Sequence, residues 1–371
     1  MHSFRFALIL LILASFSACA KKSESSDKKP APTPSIALDA GPRVEADAAP
    51  STPPGEVALA PAAALAAVPA GLPAIPTTYT ITPEEVALGE LLFQEPRLGA
   101  DGTTSCASCH DPARDHGGSE PHPQTAAGKP NLRRAPALSN LMWARELGWD
   151  GRSADPVTFL RSHAEGQLGQ SLDDAAVKLA ASPTYRAHLV RAGASRGRAD
   201  TAIASLLAYV LTRFDGDAPW DHHEAGVVGA VSPDVVAGYE LFTGKALCAT
   251  CHPPPLYTDQ SYHRLGLIAS PDEGRGRVDP ALPGAFKTPG LRGAARRSPQ
   301  FHDGSAPQLD AAIDWHLGGG RGQGADPSVI DPGLRPVTLT PEERAQLGAF
   351  VRALTSSTPP EGKPVLPMDL P

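Results

Sequence analysis

Cys106-Ala107-Ser108-Cys109-His110 and Cys248-Ala249-Thr250-Cys251-His252 decide how this chain of 371 residues is read. Both follow C-x-x-C-H, the pattern in which two thiols add across the vinyl groups of a haem. The His that follows them reaches the iron as proximal axial ligand. A redox dithiol has no need of the trailing His, and a zinc site needs its ligands to converge into one four-fold set. Two complete copies therefore predict two covalently bound haem c groups. Cys106, Cys109 and His110 would hold one, and Cys248, Cys251 and His252 the other. Four of the five cysteines are thereby used.

The fifth, Cys19, ends an N-terminal segment in which Arg5 precedes the apolar run Phe6 to Phe16 and then Ser17-Ala18-Cys19. A charged start, an apolar stretch and small residues at its end make residues 1–19 a signal peptide, not a membrane span. Small residues directly before a Cys resemble a bacterial lipobox, so Cys19 is the expected lipidation site. Phe16 stands where Leu is usual, which leaves ordinary cleavage as the alternative. Lys21 and Lys22 follow, with no Asp beside Cys19, a pattern similar to outer-membrane lipoproteins. The expected location is the periplasm, with a lipid anchor in the outer membrane. A formal charge of −7 and the lack of a long basic stripe argue against nucleic acid. Residues 20–78, rich in Ala, Pro, Ser and Lys, read as a disordered linker, because they bury too little apolar surface to offset their ordering entropy. Residues 359–371 read as a tail.

An internal repeat organises what lies between. Ile81-Thr82-Pro83-Glu84-Glu85-Val86-Ala87-Leu88-Gly89-Glu90-Leu91-Leu92-Phe93 precedes the first motif, and Val231-Ser232-Pro233-Asp234-Val235-Val236-Ala237-Gly238-Tyr239-Glu240-Leu241-Phe242 precedes the second. In each, Thr or Ser is placed to cap a helix, Pro takes its first position and acidic residues fill the first turn. Downstream, Ala135-Pro136-Ala137-Leu138 leads to Trp149-Asp150-Gly151-Arg152, while Thr288-Pro289-Gly290-Leu291 leads to His302-Asp303-Gly304-Ser305. One motif per repeat predicts a mainly α fold of two cytochrome c-like helical domains, residues 79–222 and 223–358, with one c-type haem each. Forty prolines and 35 glycines against ten Phe predict short helices joined by long loops. A helix over Ala202–Phe214 should close the first domain, and one running from Thr340 to about Leu354 the second. No alternating pattern demands a substantial sheet.

In Ser105 to Pro112, Gly148 to Arg152, Phe286 to Arg292 and Phe301 to Ser305, the chain resembles the bacterial di-haem cytochrome c peroxidases, MauG-type enzymes included. The order and spacing of these stretches match over nearly all of 79–358. The resemblance implies an N-terminal haem that reacts with hydrogen peroxide and a C-terminal haem that relays electrons from a small donor protein, a cytochrome c or cupredoxin. It also implies that Trp149 lies between the haems. The family's sixth ligand in the C-terminal half falls thirteen residues after the Asp of H-D-G, which is His316 counted from Asp303. The same count from Asp150 reaches His163, where the family normally has a non-ligating Pro. His163 is then either an iron ligand that must leave before peroxide binds, or a distal base that moves a proton between the peroxide oxygens. His116 and His122 compete with it for the ligand role, since family members recruit a loop His after the first motif.

Departures from the family pattern are equally specific. The family's distal Gln aligns with Phe159, and its catalytic Glu falls near Gln167, leaving Glu165 as the nearest carboxylate. Arg134 stands where the family's calcium-binding Asn is expected, so no calcium is expected there; a guanidinium cannot ligate calcium but serves as a fixed cation. Arg152, Arg275, Arg292 and His263 are the candidate partners of haem propionates. Three functions follow from the resemblance and the residues. They are a peroxidase, a MauG-like enzyme that oxidises a partner protein or organic substrate at a distance, and a bis-His electron carrier without a catalytic site.

Overall fold

The computed structural model describes residues 67–76, 80–193, 196–267, 271–357 and 363–369. The signal segment with Cys19 and most of the expected linker lie outside the described residues. The first half comprises α1 (Pro83–Gln94), α2 (Cys106–Cys109), α3 (Pro156–Leu168), α4 (Leu172–Leu179), α5 (Pro183–Gly193) and α6 (Arg198–Leu211). The second comprises α7 (Pro219–Glu224), α8 (Pro233–Thr243), α9 (Leu309–Leu317) and α10 (Pro341–Ala353). Among the described residues the only strands are β1 (Tyr262–His263) and β2 (Phe286–Lys287), an antiparallel pair. No described helix is long and apolar enough to cross a membrane.

Proline at the first turn starts α1, α3, α7, α8 and α10, where a missing N–H costs nothing. Thr82 and Thr340 each close a capping box, with Glu85 and Glu343. Ser232 occupies the N-cap position of α8, but its hydroxyl makes no capping bond. The helix expected from Ala202 begins at Arg198, because Gly197 is its N-cap, and it ends at Leu211.

The repeat is visible as two equivalent helix crossings. At Gly89 of α1, a Cβ would stand 1.9 Å from the Ser205 carbonyl oxygen and 2.7 Å from the Tyr209 Cβ on α6. At Gly238 of α8, it would stand 2.1 Å from the Gln346 oxygen and 2.8 Å from the Phe350 Cβ on α10. Only glycine admits such an approach. Leu88, Leu92, Phe93, Ile203 and Leu206 pack around the first crossing, and Phe242, Leu347, Phe350 and Leu354 around the second. Cys106 packs against the first cluster and Cys248 against the second. Each motif thus sits on the apolar wall of its own crossing.

Two segments expected to lie outside the folded part are built into it. Residues 67–76, assigned above to the linker, are held by their carbonyls: Ala70 accepts from Asp217 N, Gly71 from Arg292 Nη2 at 2.6 Å and Ala74 from Trp143 Nε1 at 3.1 Å. In the expected tail, Pro367 O accepts from Arg97 Nη2 at 2.8 Å, and Asp369 accepts from Ser182 Oγ and from the amide and hydroxyl of Thr184 at the start of α5. Backbone acceptors and the Asp369 carboxylate dock these segments, and Leu366 packs against the first core cluster.

Candidate functional site

A cavity of about 1190 Å³ is lined by Cys106, Cys109 and His110 from one half and by Cys248, Cys251 and His252 from the other. It exceeds the roughly 300–1,000 Å³ of an ordinary small-molecule pocket. Opposite His110 stands His163 of α3, with ring centroids 6.2 Å apart and planes at 66°. Opposite His252 stands His316 of α9, at 6.4 Å and 69°. Two imidazoles bonded at about 2.0 Å on opposite sides of one metal have centroids roughly 6.3 Å apart. Both pairs have that spacing.

Three of the four rings are oriented by backbone carbonyls. His110 Nδ1 donates to His116 O and Pro136 O, both at 3.0 Å. His252 Nδ1 donates to Tyr257 O at 2.9 Å, and His316 Nδ1 to Ala312 O at 2.7 Å. Each bond fixes the tautomer and leaves Nε2 as a lone pair directed away from the backbone. Burial lowers the pKa of all four, to about 4 for His252 and about 3 for His163, so every ring is neutral at pH 7, as a ligand must be. His163 differs in its restraint. Among the described residues no hydrogen bond holds its ring; Phe159, one turn earlier on α3, stacks on it at 5.5 Å and 9°. The Arg152 guanidinium lies 4.8 Å over that same Phe ring.

The remaining sequence-derived residues divide clearly. His116 is buried behind His110, its Nε2 bonded to Tyr209 Oη at 3.0 Å, and it does not line the cavity. His122 is also off the cavity, with Nδ1 bonded to Asn131 O. Glu165 is exposed and off the cavity, whereas Phe159 and Gln167 line it. The Gln167 and Asn131 amides pair through two bonds of 2.9 and 3.1 Å. Trp149 is buried on the cavity wall, with Nε1 donating to Arg134 O at 2.8 Å. The Arg134 guanidinium is buried on the carbonyls of Phe301 and Gly118.

Of the four proposed propionate partners, Arg152, Arg292 and His263 line the cavity and Arg275 does not. Arg275 is turned to Glu146 and to the carbonyls of Asp150 and Gly151. Arg292 is already in a buried bidentate pair with Asp221, and His263 lies between Asp259 and Asp331. What sequence reasoning missed is the proximal carbonyl pair, His116 and Tyr257. Both follow their motif by a few residues, and both have φ of 54°.

The profile of the family Di-haem cytochrome c peroxidase matches residues 83–228. The methylamine utilization protein MauG of Methylorubrum extorquens is 35% identical over 300 residues, covering 79% of this chain and 84% of that one. The chain belongs to the di-haem cytochrome c peroxidase family. Cytochrome-c peroxidase IdrP1 of Denitromonas iodatirespirans is 31% identical over 323 residues, covering 77% of this chain and 85% of the relative. The crystal structure of a MauG-like protein associated with microbial copper homeostasis shares the fold, with a TM-score of 0.69 at 24% identity over 79% of this chain and 94% of that one. The family member described here is a cytochrome-c-peroxidase-like oxidoreductase of mainly helical fold. Its family uses haem c, and two C-x-x-C-H motifs on apolar walls, each facing a second neutral histidine, are donor sets that fit such groups.

Proposed function

We propose that this chain reduces hydrogen peroxide to water at the first site, between His110 and His163, and draws electrons through the second, between His252 and His316. The donor would be a small periplasmic protein, a cytochrome c or cupredoxin. Residues 79–222 would form the peroxidatic domain and 223–358 the electron-transfer domain, with lipid on Cys19 holding the protein at the outer membrane. Cys106 and Cys109, and Cys248 and Cys251, would carry haem c covalently, with His110 and His252 as proximal ligands. When bound, each haem supplies one-electron iron chemistry.

The observation that carries this reading is the unequal restraint of the two distal rings. His316 is tied by Nδ1 to a helix carbonyl, which suits a permanent ligand. The His163 ring stacks on Phe159 and, among the described residues, has no hydrogen bond, which suits a ligand that leaves. Once swung aside, its Nε2 is the cavity-side group placed to take a proton from one peroxide oxygen and return it to the other. Glu165 points to solvent and has no part in this step; the Gln167–Asn131 amide pair closes that stretch of wall. Trp149 lines the same cavity as both motifs, which supports a place for it on the route between them.

The 35% identity to a MauG protein favours the second reading, oxidation of a partner protein at a distance. The equal spacing of the two histidine pairs favours the third, a bis-His carrier. Electron paramagnetic resonance of the fully oxidised and half-reduced holoprotein separates these readings. The expected result is a high-spin signal at the first site on half-reduction, bleached by peroxide, and a permanent high-spin signal in His163→Ala. If both sites stay low-spin in both states and peroxide changes nothing, the chain is a carrier and the peroxidase reading fails.

A further inference from the structure

Arg134 and Trp149 make an unusual pair. The Arg134 guanidinium carbon lies 5.6 Å from the centre of the Trp149 ring, and both side chains are buried. Arg133, its neighbour in sequence, is compensated by Asp150 at 2.7 Å and by Asp272. Arg134 is not: its hydrogen bonds go to two carbonyls, and the charged group closest in effect is another guanidinium, Arg297. Burial and Arg297 lower its pKa to about 10, which leaves it charged at neutral pH. His302, neutral with a pKa lowered by burial to about 4, packs edge to face with the indole at 6.5 Å and offers no compensating negative charge.

A guanidinium over an aromatic face favours the neutral, electron-rich ring. An indole that gives up one electron becomes a cation. At 5.6 Å and an effective dielectric of about 20, two unit positive charges disfavour that state by roughly a hundredfold in an equilibrium constant. The oxidised ring could shed its charge by losing the Nε1 proton. That proton, however, is donated to the carbonyl of Arg134, which does not take it up. The proton, and with it the charge, therefore stays on the oxidised ring, where the guanidinium opposes it.

We infer that Arg134 holds Trp149 reduced, so that an oxidising equivalent passing between the two sites does not come to rest on the indole. The inference rests on the proposal that a strong oxidant is raised in this cavity, but its test does not depend on peroxide. Tris(bipyridine)ruthenium(III), generated by a laser flash with an electron acceptor, takes one electron from the holoprotein and returns to ruthenium(II). Transient absorption then reads the indole radical left behind. Yield assignable to Trp149 is the signal lost on Trp149→Phe.

In the wild type that yield should be near zero, and in Arg134→Met it should be larger by about tenfold or more, as expected once a repulsion of this size is removed. A Trp149 signal of the same size in wild type and Arg134→Met would overturn the inference. So would a strong Trp149 signal in the wild type alone, which decides the matter even if the variant fails to fold. Failure of the peroxidase reading shows up separately, as a haem spectrum that peroxide leaves unchanged.

Discussion

The two halves of this molecule place a second histidine opposite the first at nearly the same distance, 6.2 Å in one and 6.4 Å in the other, yet they hold it differently. His316 rides on α9, whose N-cap Gln308 makes no side-chain bond, but the ring is locked to the Ala312 carbonyl. His163 rides on α3, whose N-cap Asp155 accepts from Val157 N and Thr158 N, but the ring stacks on Phe159 with no hydrogen bond among the described residues. One half has a hydrogen-bonded ring on a helix that starts without a side-chain cap. The other has a stacked ring on a helix that starts with one. A hydrogen bond to a carbonyl is directional and breaks on rotation, whereas a stacked ring slides with little cost until contact is lost. The repeat gives the two pairs their common spacing, and restraint is where they differ.

The strongest way to break the comparison is at its shared base. Gly89→Val and Gly238→Val each push a side chain into a backbone carbonyl across a helix crossing, at positions where even a Cβ would be 1.9 and 2.1 Å from oxygen. Each should lose about 3 kcal/mol or more in denaturant titration, at the upper end of overpacking costs. If one half tolerates the change and the other does not, the crossings are not equivalent and the repeat is superficial. Next in size is Tyr209→Phe. Phe350 fills the matching place in the second half, so a Phe ring fits the crossing. Removing the hydroxyl leaves the buried His116 Nε2 without its partner, a loss of about 1–3 kcal/mol. The absorption of the first site should shift with it while the second stays unchanged. A shift at both sites would mean that the halves are coupled through their cores.

How much of this was readable in the sequence follows from what kind of contact each residue makes. The two motifs, the repeat and the thirteen-residue count brought His163 and His316 to the cavity, because equal chain lengths on equal helices carry side chains to equal places. Glu165 failed for the same geometric reason. Residues two apart on an α-helix point about 200° apart, so a carboxylate two positions from Gln167 faces solvent. Phe159, His163 and Gln167, at intervals of four, share the face that lines the cavity, and that spacing was there to be used. His116 was misplaced because its working atom is a backbone oxygen, set by a left-handed φ that no side-chain pattern announces. Residues 67–76 and 363–369 escaped for a related reason: their hydrogen bonds run through main-chain carbonyls and the Asp369 carboxylate, and the single Leu366 that packs on the first core forms no periodic pattern.

The difference in restraint itself is sharpened by Phe159→Ala. Aromatic pairs of this kind contribute about 0.5–1.5 kcal/mol beyond area burial, so the open form of the first site should rise several-fold in population. The check is the high-spin fraction in the half-reduced protein, which should grow at the first site and stay constant at the second. No change at the first site would show that something other than stacking holds His163.

Acid tests the opposite asymmetry, the helix start. Hydrogen bonds from the hydroxyl and amide of Thr158, against a smaller opposing effect of burial, hold the Asp155 carboxyl below its ordinary range. A carboxylate with a lower pKa folded than unfolded contributes its full stabilisation above the unfolded value of about 3.9, and loses it as pH falls through the folded value. The cap is worth about 1 kcal/mol. Below pH 4, therefore, α3 should loosen and His163 with it, while α9, which starts without a side-chain cap, keeps His316 in place. Asp155→Asn retains a capping oxygen without a titrating proton, so between pH 5 and 3 its first-site spectrum should drift less than that of the wild type, the remaining drift being that of His163, whose pKa burial lowers to about 3. Parallel drift in the two proteins would assign the acid effect to another group and leave the start of α3 irrelevant to how His163 is held.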